Sequence, residues 1–82
     1  MRYKIGQYYF ENIEDEDSQI IYEIIGICTQ TNNLDVEIIL VVGDFFESGF
    51  YIGEITRFKF GSCSNDILLN ADQVNELKVK YL

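Results

Sequence analysis

QIIYEIIGICTQTNNLDVEIILVV, residues 19–42, is the stretch whose reading decides the fold. It reads as two strands, Ile20–Thr31 and Asp35–Val42, turned back on each other at Asn32-Asn33. Ile20, Ile21, Ile24, Ile25 and Ile27 in the first arm, and Val36, Ile38, Ile39, Val41 and Val42 in the second, are β-branched. Such side chains are stiff at χ1 and suit a pleated surface better than a helix. Asn tolerates the left-handed backbone that a tight turn demands. Both faces of each arm are apolar near the centre, so the hairpin must be covered on both sides or close into a barrel. A two-residue loop would pair Ile27 with Ile38, and a three-residue loop Cys28 with Ile38. That one-residue slip exchanges the faces.

Upstream, Tyr3 and Ile5 alternate with Arg2 and Lys4 as a short strand, Gly6 permits a bend, and Gln7–Asn12 continues as a strand. Its neighbours Tyr8 and Tyr9 must take opposite faces, so one of them meets solvent or a partner. Glu14, Asp15, Glu16 and Asp17 repel one another and must form an exposed loop. Downstream, Phe45, Phe46, Phe50 and Tyr51 lie among glycines 43, 49 and 53. They either cap the open end of a barrel or form a contact patch. Over Glu54–Phe60 the residues Thr56, Phe58 and Phe60 take one face, and Ile55, Arg57 and Lys59 the other. Gly61–Asn65 is a turn and Ile67–Leu69 a short strand. Asn70 and Gln73 have capping-box spacing, which predicts one helical or 3₁₀ turn. Leu77, Val79 and Tyr81 then alternate with Lys78 and Lys80 as a last strand.

These elements predict a single domain over residues 1–82, all-β, as a small five- to six-stranded antiparallel SH3-like barrel with one short helical turn near the C-terminus. The alternative is an α+β domain, an antiparallel sheet with one short helix. The run Gly53-Glu-Ile-Thr-Arg-Phe58, followed by Gly61-Ser62 and the apolar Ile67–Leu69, resembles small SH3-like barrels common among phage and mobile-element proteins. That resemblance implies a fold and a genetic context and names no function.

Composition excludes several chemistries. The chain has no histidine, so the commonest general base is missing. Gly61-Ser62-Cys63-Ser64 is a turn rather than a nucleophile elbow, because no base accompanies either nucleophile. Cys28 and Cys63 lack metal-ligand spacing and read as free thiols of a reducing compartment. Asp15-x-Asp17 lacks the glycine and terminal Glu of a calcium loop. The expectation is a protein that is not an enzyme, with no cofactor and no metal. No apolar run reaches the roughly 18 residues of a membrane span, and residues 1–6 lack the apolar core of a signal peptide. A cytoplasmic location follows, that of the host if the protein is phage-encoded.

Charge carries the functional expectation. Fourteen acids against six bases give a net charge of −8. A nucleic-acid binder must neutralise phosphates and is normally basic, so direct contact with nucleic acid or an anionic membrane is disfavoured. All the bases fall in i, i+2 pairs, Arg2/Lys4, Arg57/Lys59 and Lys78/Lys80, each on one face if the segment is a strand. Eleven acids and no base lie between Ile5 and Thr56. The bland reading is a solvated surface that keeps a small β protein soluble. The sharper reading is a surface that imitates nucleic-acid phosphates and docks into the basic groove of a nucleic-acid-binding host protein. Its candidate contacts are Glu11, Glu14, Asp15, Glu16, Asp17, Glu37, Asp44 and Glu47, with Phe46, Phe50 and Tyr51 as apolar anchors. In size and charge the chain resembles the small acidic phage proteins that block host defence nucleases, anti-CRISPR proteins among them. The runner-up is an interaction or assembly module, monomeric or homodimeric through an exposed strand or the 45–51 patch.

Overall fold

Five strands form one antiparallel sheet in the computed structural model, which describes residues 3–13, 18–43, 49–61 and 66–82. They are β1 (Tyr8–Ile13), β2 (Ser18–Cys28), β3 (Asn33–Val42), β4 (Ile55–Lys59) and β5 (Ile67–Leu69), and a helix α1 (Ala71–Tyr81) follows. The spatial order is β4-β3-β2-β1-β5. Four strands run as a meander, and β5 returns beside β1. This order is compatible with the SH3-like expectation, and no ladder joins β4 to β5 among the described residues. No helix among them is long and apolar enough to cross a membrane.

The hairpin β2–β3 is the centre of the molecule, but in neither expected register. Cys28 pairs with Asn33 and Ile27 with Leu34, so the chain turns over residues 29–32, with Asn32 at φ 56°. Tyr22, not Ile27 or Cys28, faces Ile38. The first arm ends three residues early because Thr29, Gln30 and Thr31 are exposed turn residues with nothing apolar to bury. The register also shifts twice. One extra residue, Ile25, bulges from β2 between Ile24↔Val36 and Gly26↔Asp35; another, Ile39, bulges from β3 between Tyr22↔Ile38 and Ile21↔Leu40. A bulge sets two successive side chains on one side, so inward alternation resumes beyond it.

Both faces of the hairpin are covered, as its apolar centre requires. The inner face holds Tyr9, Ile20, Tyr22, Ile24, Leu34, Val36, Ile38 and Val41, with Tyr3, Phe50, Phe58 and Phe60 packed against them. Aromatic rings run in contact across this face. Tyr9 stacks on Tyr22 at 5.8 Å, Tyr22 meets Phe58 edge-on at 5.1 Å, and Tyr3 lies 5.4 Å from Phe60. The last contact brings the N-terminal segment against the end of β4, so the sheet curls over its own core. On the outer face, Ile21 and Leu40 are buried beneath Val74 of α1, with Tyr8, Phe10, Ile39, Val42, Leu69 and Leu77 around them. Tyr8 and Tyr9 therefore do take opposite faces, but each meets a core cluster.

The two terminal strands expected from alternation do not form. Residues 3–7 lie beside β2 through Gly6 N–H to the Ile24 carbonyl (2.8 Å) and Ile24 N–H to the Gln7 carbonyl (2.9 Å), yet Ile5 is exposed and Gly6 turns at φ 94°. At the other end the helix runs 11 residues instead of one turn. The capping box is as the sequence predicts: the Gln73 N–H donates to Asn70 Oδ1 (2.8 Å), and the Asn70 N–H to Gln73 Oε1 (2.9 Å). Val74 and Leu77, three apart, bury one stripe, while Val79 is 85% exposed. Helical spacing wins because the outer face offers an apolar floor for that stripe, and Lys78 and Lys80 in the last turn suit the negative end of the helix dipole. As a consequence Lys78 and Lys80 diverge around the helix instead of sharing a face.

Candidate functional site

On the outer face the apolar residues packed with Val74 of α1 gather around Ile21 and Leu40. Toward the β2–β3 turn the same two strands carry Glu23, Asp35 and Glu37. Glu23 pairs directly with Glu37, and the row extends from Tyr8 on β1, through both glutamates, to Ile55 on β4. Like charges directly opposite on neighbouring strands are destabilising. The next row is neutralised: Asp35 pairs with Arg57, and Arg57 Nε lies 3.1 Å from Asp35 Oδ1. Gly26 makes room for this carboxylate. A Cβ on Gly26 would stand 3.0 Å from Asp35 Oδ2.

The sequence-predicted contacts separate. Glu37 belongs to the acidic row. Glu11 does not: it follows Tyr9 by two residues and so takes the inner face, at the rim of the aromatic core. Burial, and then the nearby Asp66, raise its carboxyl above the ordinary 4.5. Phe50 is half-buried and packs edge-on against Phe58 at 6.0 Å, so it is part of the core and not an exposed anchor. Tyr51 is 58% exposed, its backbone N–H donating to Glu54 Oε1 (3.2 Å). Ile52 and Ile55, which were not singled out from sequence, are exposed near it. Glu14, Asp15, Glu16, Asp17, Asp44, Phe46 and Glu47 lie outside the described residues, as does Cys63.

Glu23 is the contact that sequence reasoning passed over. Its pairing with Glu37 depends on the central register, which the two bulges set, and no local pattern announces a bulge. The basic pairs are also less organised than their spacing suggests. Arg57 and Lys59 do share the outward side of β4, but Arg57 is engaged by Asp35. Cys28 is a free thiol beside the turn, drawn below its ordinary pKa chiefly by hydrogen bonding with Thr31. No group of three or more metal-ligating side chains occurs among the described residues.

Fold and surface together define a small antiparallel-sheet protein with one covering helix and a half-buried acidic group on the outer face of β2 and β3. No protein-family model, curated protein or solved structure matches the chain.

Proposed function

We propose that this protein acts by binding another protein, without catalysing a reaction. Its acidic surface occludes the basic nucleic-acid-binding groove of a host defence complex of the CRISPR-like kind, in the manner of a phage or mobile-element inhibitor working in the host cytoplasm. The observation that carries this reading is the Glu23–Glu37 pair. Two half-buried carboxylates face each other across β2 and β3, in a chain of net charge −8. The pair costs stability in the free protein, and a basic partner would relieve it. Electrostatic attraction would also speed association, and occupancy of the groove would exclude nucleic acid.

The exposed Tyr51, Ile52 and Ile55 favour a second reading, an assembly module that pairs through an apolar patch. The outward bases of β4 weigh against pairing along that edge, since charged edge strands resist strand addition. Competition binding separates the readings. A target that holds nucleic acid and this protein together, with neither weakening the other, overturns mimicry; mutual exclusion that weakens with salt supports it.

A further inference from the structure

The β1–β5 ladder is short: Tyr8↔Leu69, Tyr9↔Leu68 and Phe10↔Ile67. One step further, the same register sets Glu11 opposite Asp66. Tyr22, fully buried in β2, donates its phenolic O–H to Asp66 Oδ2. Two carboxyl groups thus meet at the rim of the aromatic core, one from β1 and one from the residue leading into β5. Burial, and then Asp66, raise the Glu11 carboxyl, so Glu11 holds a proton more readily than a free carboxyl does. Among the described residues, Tyr3, Tyr9 and Tyr22 also bring hydroxyls to this face. Val41 on β3 brings no charge, and Arg57, Lys59 and the charges of α1 lie on the other side of the sheet.

We propose that Glu11 and Asp66 form a proton-sensitive latch that holds β5 and α1 on the sheet, tightening with Glu11 protonated and loosening with both carboxyls ionised. Repulsion between them is relieved when β5 lifts away, carrying Asp66 with it and returning Glu11 to water. Since α1 follows β5 after the single residue Asn70, loosening β5 frees the helix and uncovers Ile21, Leu40 and their neighbours on the outer face. The raised Glu11 carboxyl supports this. A carboxyl raised in the latched state binds its proton more tightly there than in the open state. The latch therefore strengthens as pH falls through that raised value toward 4.5, and is lost as pH rises above it.

Amide hydrogen exchange on the full chain tests the latch, with rates corrected for their intrinsic pH dependence. Between about pH 7.5 and about pH 5, protection of β5 and α1 relative to β2–β3 should rise about threefold or more. Glu11→Gln should hold the acid-end ratio throughout. A ratio that does not move with pH overturns the latch, as does a pH response that persists unchanged in Glu11→Gln. If Glu11→Gln lowers protection in β2–β3 as well, the same comparison is made with Asp66→Asn, which keeps an acceptor for Tyr22; it should reduce the response without abolishing it, because the burial of Glu11 remains, and an undiminished response overturns the latch.

Discussion

On the outer face of the sheet, Ile21, Ile39, Leu40 and Val42 gather around Val74 of a helix, while Glu23, Asp35 and Glu37 on the same two strands form a half-buried acidic group. Both halves share a backbone and back onto the same inner core. They differ in what the bulge at Ile39 does. It sets Ile39 and Leu40 side by side on the outer face, doubling the apolar floor in the half where α1 lands. In the other half the bulge sets Ile25 beside Gly26, which has no side chain to bury and serves to admit the Asp35 carboxylate. The comparison teaches that the apolar half is committed to stability, and it is the acidic half that the proposed reading assigns to a partner.

The largest expected effect falls on the apolar half. Leu40→Ala removes a side chain that is 1% exposed and should cost about 2–5 kcal/mol in denaturant unfolding. Partner affinity per folded molecule should stay the same, and a matching loss of affinity would break the division between halves. Next comes the acidic half. The double change Glu23→Gln and Glu37→Gln should weaken binding to a basic partner about tenfold at low salt, with the gap closing as salt is raised. Folding stability should hold or rise by up to about 1 kcal/mol, since the like-charge pair is gone. Titration at two ionic strengths reads the first effect and denaturant unfolding the second. The smallest effect belongs to Arg57→Ala. Its ion pair is largely exposed, so the loss of stability should stay under about 1 kcal/mol. Because Asp35 would be left unneutralised, the same variant should bind a basic partner slightly more tightly, which sharpens the assignment of the acidic row.

Much of the architecture was legible from residues 19–42. Dense β-branching on both faces announces a doubly covered hairpin, Asn32 takes the left-handed turn position, and the alternation over Ile55–Phe60 gives the β4 faces correctly. The capping box at Asn70 was equally plain. The helix length was not, because Leu77, Val79 and Tyr81 fit a period of two as well as Val74 and Leu77 fit a helical period. The arbiter, an apolar floor under Val74, comes from residues far away in sequence. The central register escaped for the same reason. Turn chemistry at Asn32-Asn33 fixes where the chain reverses only to within a few residues, and nothing local marks Ile25 and Ile39 as supernumerary. Of the candidate site, the acidity was visible and the grouping was not: Glu37 belongs with Glu23, whereas Glu11 belongs with Asp66.

Each central strand carries one more residue on its outer side than strict alternation would supply, and none more on its inner side. A ribbon with surplus length along one surface arches toward the other. The bend of β2 and β3 is thus set at Ile25 and Ile39, on the side of the sheet away from the tyrosine and phenylalanine rings, and on the inner side Tyr3 lies against Phe60.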